Sequence, residues 1–128
     1  VPAFNLQEML IVLAIIGILL LIALPSLLPL IGKAKSVEAQ IQLKALYHSQ
    51  ETHRFLYARY SEAIDPLDFD PPLLVTQGGT ANYRYSIIEA NATHFLAMAE
   101  AVVDFDGDGV FNQWVIDEQG QPTQRRAD

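Results

Sequence analysis

Three aspartates at alternate positions, in the run Asp104-Phe105-Asp106-Gly107-Asp108-Gly109, form the pattern in this chain most suited to binding chemistry. A hard cation such as calcium requires several oxygen ligands, and acids at every second position can converge once the backbone curls at the glycines. An EF-hand would need a bidentate Glu at the twelfth position, which is Val115 here, and no helices are expected on either side. An EF-hand is therefore excluded. A different calcium loop stays open, with Asn112, Asp117 or a backbone carbonyl completing the shell. So does a solvated hairpin turn in which Asp and Gly merely supply the turn geometry. Mutual repulsion of three close acids weighs toward a cation.

Glu8 is the second residue of note. It stands at the lip of Met9–Gly32, twenty-four consecutive residues without a charge. As a helix, such a run is long enough to cross a hydrocarbon core of roughly 30 Å. A lone carboxylate in apolar surroundings costs several kcal/mol unless it is paired or protonated. At a membrane surface it would instead favour the positive end of the helix macrodipole, worth about 0.3–1 kcal/mol.

Other reactive residue types form no constellation. His48 and His53 are five apart on an expected helix, off the i, i+4 spacing of a two-histidine metal site. No G-x-S-x-G or phosphate-cradling glycine loop occurs, and the chain has no cysteine for thiol chemistry or disulfides. Asn91-Ala92-Thr93 matches an N-glycosylation acceptor, a three-residue pattern that also arises by chance. Tyr47, Phe55, Tyr57 and Tyr60 lie at nearly helical spacing and read as packing of helix on sheet. Nothing indicates an enzyme.

The elements that would position these residues divide the chain in two. Residues 1–32 form an apolar transmembrane or filament-core helix, and residues 33–128 a small α+β head. The apolar run is longer than a signal-peptide core and follows an acid instead of a basic start, so it is expected to be kept. Pro25 and Pro29 predict a kink or local unwinding near 21–29. From Lys33 to about Tyr60 good helix formers continue without Gly or Pro, and Ala34, Val37, Ile41 and Ala45, with Leu46 beside them, mark an apolar face. Residues 61–81 read as a loop rich in Pro and Gly. Strands are expected at Tyr83–Glu89, His94–Val103 and Val110–Asp117, giving a three-stranded antiparallel meander over residues 82–118 and a mobile polar tail over 119–128.

The formal charge of −7 is uneven. Residues 33–60 carry +3, with Lys33 and Lys35 directly after the apolar run, where basic residues commonly flank a membrane segment. Residues 61–128 carry −9, which argues against a nucleic-acid partner.

The run Phe4-Asn5-Leu6-Gln7-Glu8-Met9-Leu10-Ile11-Val12-Leu13-Ala14-Ile15-Ile16-Gly17-Ile18-Leu19 resembles the start of the type IV pilins and of the pseudopilins of type II secretion. Phe4, Glu8, Gly17 and Pro25 hold the relative positions typical of that family. The resemblance implies a lollipop-shaped subunit anchored in the bacterial inner membrane, cut by a prepilin peptidase between Ala3 and Phe4 or before Val1, and methylated on the new amine. Ala3 stands where the family usually has Gly. The resemblance further implies that assembly machinery draws the subunit into a helical homopolymer, either an extracellular surface filament or a periplasmic pseudopilus. There Glu8 would meet the terminal amine of a neighbour, Phe4 or Val1, and the backbone between Gly17 and Pro25 would melt on assembly. Some major pseudopilins hold calcium in a C-terminal loop, which lends support to a cation at Asp104, Asp106 and Asp108.

Three readings follow: a surface pilus subunit, a major pseudopilin, and a monomeric membrane-anchored calcium- or ligand-binding domain. The matched register argues against the third, because an anchor needs apolarity alone. Adhesion, motility, DNA uptake and secretion are equally compatible with the first two.

Overall fold

The computed structural model describes residues 3–127, and of residues 24–29 the backbone only. One helix, α1 (Leu6–Tyr57), accounts for 52 residues, a rod of about 78 Å. It starts where Asn5, extended at φ −88° and ψ 169°, caps the first turn. It stops at Ala58, whose left-handed φ of 62° turns its N–H back onto the Arg54 carbonyl at 2.7 Å. Of the kink or local unwinding expected near 21–29, the unwinding does not occur. The helix runs through Pro25 and Pro29 unbroken, since each Pro removes one amide donor and the bonds of neighbouring turns still hold the rod.

Four strands follow, and they pair antiparallel in chain order: β1 (Tyr83–Ala90), β2 (Phe95–Ala101), β3 (Gln113–Asp117) and β4 (Thr123–Arg126). The fourth strand corrects the expected count of three and lies in the stretch expected to be a mobile tail. Gly120, at φ 79°, makes the turn into β4, and Lys44 Nζ donates to the Gly120 carbonyl at 2.6 Å, fixing that turn to the helix. The connection over 61–81 is a loop apart from a single 3-10 turn, Val75–Gln77, and a bridge between Leu74 and Ala81.

The core lies between α1 and the sheet. β2 alternates strictly, with Phe95, Ala97, Ala99 and Ala101 all buried. Three alanines on that face let the helix sit close, and Phe95 fills the wider end against Tyr60 at 4.8 Å between ring centroids. On α1 the buried stripe is Ser36, Ala39, Leu43, Leu46 and Gln50, at the three- and four-residue steps of one helix face.

That stripe is not the one the sequence pattern indicated. Ala34, Val37, Ile41 and Ala45 face outward, with Val37 at 48% and Ile41 at 62% exposure. Only Leu46 joins the core. The aromatic expectation divides in the same way. Tyr60 and Tyr47 pack on Phe95, whereas Phe55 and Tyr57 are exposed at the end of the helix.

Candidate assembly helix and acidic loop

Nothing packs on Leu6–Ala23, the described start of α1. Leu6–Ala23 has a mean hydropathy of 2.6, is long enough to cross a membrane, and none of it is buried. Phe4, Leu6, Leu10 and Leu13 are each more than half exposed. Gly17 lies in open space, since a Cβ added there would meet no atom within 4 Å. Ala3 and Phe4 are exposed and lead into the cap. Val1 lies outside the described residues, as does the Pro25 side chain.

Glu8 is engaged within its own subunit. Asn5 Oδ1 accepts the Glu8 N–H at 2.8 Å, and Glu8 Oε2 accepts the Asn5 N–H at 3.2 Å. This is a reciprocal capping box with Asn as the cap. It satisfies two helix-start donors and fixes the carboxylate at the rim of the apolar rod. Glu8 Oε1 takes no hydrogen bond among the described residues.

The apolar exposure does not stop at the span. Leu30, Ile31, Val37 and Ile41 continue it along α1 into the head. At Val37 and Ile41 the helix is two-sided: the sheet covers one face, and an apolar strip stays open on the other.

At the base of the head, β2 and β3 are joined by the loop that carries the three aspartates, and its first residue, Val102, donates its N–H to the Asn82 carbonyl at 2.9 Å. Their carboxylate oxygens lie within 4.8 Å of one another. The loop holds them there with its own amides. Asp104 accepts the N–H groups of Gly107 and Gly109, Asp106 that of Asp108, and Asp108 that of Val110. Gly107 and Gly109 sit at φ 78° and 83°, the left-handed geometry that lets those amides turn inward. Phe105 anchors the loop to the core beside Tyr83.

The amides of Gly109 and Gly107 hold Asp104 below the usual carboxylate range, against some loss of solvent. Asp106 is raised by loss of solvent and by the neighbouring Asp108 and Asp104 carboxylates. Three converging carboxylates fit a hard cation. The other two expected ligands do not join them. Asn112 is buried in the core, where its Oδ1 accepts the Tyr83 hydroxyl at 2.6 Å and its Nδ2 donates to the Arg126 carbonyl at 3.0 Å. Asp117 ends β3 at the opposite end of the sheet and caps the next turn by accepting the Gln119 N–H at 2.9 Å.

Two contacts carry no pattern in the sequence. Glu38 on α1 binds Asn82 just before β1. At the far end of the head, His94 lies between Glu118, 2.6 Å from Nδ1, and Glu89, 3.0 Å from Nε2. Glu38 and Asn82 are 44 residues apart and His94 and Glu118 are 24 apart, so spacing alone gives no signal.

Over 83 residues, the chain is 39% identical to the type IV major pilin protein PilA of Myxococcus xanthus (strain DK1622). The chain is a homologue of a type IV major pilin. The aligned stretch covers 65% of this chain and 36% of that relative, so the chain spans about a third of the length of the curated protein it matches. No family model matches it. In this pilin homologue an exposed apolar helix carrying Glu8 at its capped start is joined to a four-stranded head.

Proposed function

We propose that this chain is a non-enzymatic structural subunit that polymerises through α1 into a type IV pilus-like surface filament. The observation that carries this reading is the open apolar strip at Val37 and Ile41. A membrane anchor needs apolarity only across the bilayer, and α1 keeps exposed apolar side chains at Val37 and Ile41, five and nine residues past the end of the uncharged run at Gly32, where water would otherwise meet them. A second copy of the same helix is the simplest cover, and burial at about 25 cal/mol/Å² would supply the driving force. This counts against a monomeric anchored domain.

In this reading the subunit waits in the inner membrane, is cut by a prepilin peptidase before Phe4 or Val1, and is then drawn out by the pilus machinery. Glu8 meets the terminal amine of a neighbour and selects the axial register of the polymer. Its capping box bears on this role, because the carboxylate is held at a fixed place on the rod with one oxygen uncommitted. Gly17 and Pro25 bound the stretch of helix that melts on assembly. Similarity to a protein named a major pilin favours a surface filament, whereas the converging Asp104, Asp106 and Asp108 favour a pseudopilus that binds calcium.

The test is mass spectrometry of filaments sheared from cells, reading the amino-terminal peptide. A methylated Phe4 or Val1 in the sheared fraction supports the surface pilus and fixes the register of Glu8. A processed chain found only in membranes supports the pseudopilus, and an unprocessed one the anchored domain.

A further inference from the structure

We propose that Asn91 is an acceptor site for an N-linked glycan. The full sequence contains four asparagines, and only Asn91 is followed two residues later by Ser or Thr. The structure places this match at the tip of the β1–β2 hairpin, with Asn91, Ala92 and Thr93 all exposed.

The turn is built so that one end of the Asn91 amide is used and the other is presented. Oδ1 accepts three hydrogen bonds: from the Thr93 N–H at 2.8 Å, the Thr93 hydroxyl at 3.3 Å and the His94 N–H at 2.7 Å. Nδ2 makes none among the described residues. The main chain of the turn is fastened from behind. Tyr60 N–H donates to the Asn91 carbonyl at 3.0 Å, Arg54 Nε to the Ala92 carbonyl at 3.2 Å, and Asn91 N–H to the His94 carbonyl at 2.8 Å. The backbone therefore faces the end of α1, while the amide nitrogen belongs to an exposed residue and is left unused by the turn. Glu89, two residues before Asn91, is 60% exposed, and its Oε1 lies 3.0 Å from His94 Nε2, so its carboxylate is tied back within the hairpin and leaves the approach to Asn91 open. The tip also lies at the end of the head far from the span, so a bulky polar group there displaces no packed residue and leaves the apolar strip of α1 uncovered.

The transfer forms a bond from Nδ2 to the anomeric carbon of a sugar and breaks that carbon's bond to the pyrophosphate of a lipid-linked donor. Lipid pyrophosphate leaves, the Nδ2 proton passes to a base on the transferase, and no oxidation occurs. The inference rests on the reading above, that the head stands outside the inner membrane.

The test uses the full chain from the cells that make it, taken from both membrane and sheared-filament fractions and cut with a glutamate-specific protease. The peptide 90–100 is expected to carry a sugar mass in most copies. Asn91→Asp keeps the acceptor oxygen of the turn and removes the amide nitrogen, and Thr93→Ala removes the hydroxyl. Both should lose the modification, while Thr93→Ser keeps it. Recovery of the peptide unmodified, or a glycan that survives Asn91→Asp, overturns the proposal. Unmodified chain in sheared filaments would overturn this inference alone; glycosylated chain that never enters filaments would overturn only the filament reading.

Discussion

Glu38 grips Asn82 with both carboxylate oxygens, Oε2 on the backbone N–H at 2.8 Å and Oε1 on the side-chain Nδ2 at 3.1 Å. This pair fastens the helix to the sheet at the point where α1 enters the head. Asn82 is nearly buried, so Glu38→Ala leaves its donors without a partner and should cost roughly 2 kcal/mol, lowering the melting temperature of the head by about 10 °C. Glu38→Gln keeps one acceptor and should lose about half as much. Thermal unfolding of the full chain in detergent, followed by near-UV circular dichroism, measures both.

The capping box separates two uses of Glu8. Asn5→Ala removes a side-chain cap worth about 1 kcal/mol but keeps the backbone N–H that holds Glu8 Oε2 in place, so filament yield should stay near wild type. Glu8→Gln keeps an acceptor oxygen for the Asn5 N–H and loses the charge. It should insert normally in the membrane yet give at least tenfold fewer sheared filaments. Wild-type yield from Glu8→Gln would remove charge pairing from the assembly reading.

His94 should make the stability of the head depend on pH. Hydrogen bonding to Glu89 and to Glu118, with the charge of both, raises its pKa above 6.5 against partial desolvation. A group raised on folding stabilises fully below its unfolded value of about 6.5 and loses that contribution as pH climbs through the folded value. Glu118 moves the other way. Although partly desolvated, it is lowered by its own backbone N–H and by His94, so its contribution is present above the ordinary Glu value of about 4.3 and lost as pH falls through the folded value. The melting temperature should therefore peak between those two limits, and His94→Gln should flatten the alkaline side. An unchanged alkaline limb would show that the His94 bridge adds nothing to stability.

Calcium should raise the melting temperature of the full chain, by an amount that corresponds to about 2.7 kcal/mol at a hundredfold excess over Kd. Asp106→Asn should abolish the response. Asp117→Asn should leave it intact, because Asp117 caps a turn at the other end of β3. Binding should weaken at mildly acidic pH, where Asp106, raised by its surroundings, holds its proton more readily than a free carboxylate. Isothermal titration that shows no heat would leave the loop as a turn knit by its own amides.

Gly120 fixes the turn that brings β4 into the sheet. A Cβ there would lie 2.8 Å from the Tyr47 ring, on a backbone at φ +79°. Gly120→Ala should cost about 1–3 kcal/mol and fray β4 first. Hydrogen exchange at residues 123–126 that matches wild type would contradict this.

The parts legible in the sequence were those that one side chain type announces by itself. An uncharged run of twenty-four residues declares its helix, and the alternate acids 104, 106 and 108 declare their convergence. The buried face of the head helix was not legible, because the strip with Val37 and Ile41 is more apolar than the one that is buried. Gln50 sits in the core at 0% exposure because its amide exchanges two hydrogen bonds with the Ser61 backbone, at 2.8 and 2.9 Å, and a satisfied amide can be buried at little cost. Asn112 escaped for the same reason: it reads as a ligand and is held by Tyr83. β4 is exposed at all four positions, so it has no inward face to impose an alternating pattern.

The edges of the sheet decide how crowded heads can touch. Any polymer of this chain brings sheets to very high local concentration, where an open strand edge recruits another and ends in aggregation. Here one edge strand is only Thr123–Arg126, with two arginines in four residues, and the other is bent by a register shift between Ile87 and Glu89. Both features discourage strand-to-strand zippering. In the proposed filament, cohesion would then fall to the rods, and neighbouring heads could lie side by side without fusing, keeping growth along a single axis.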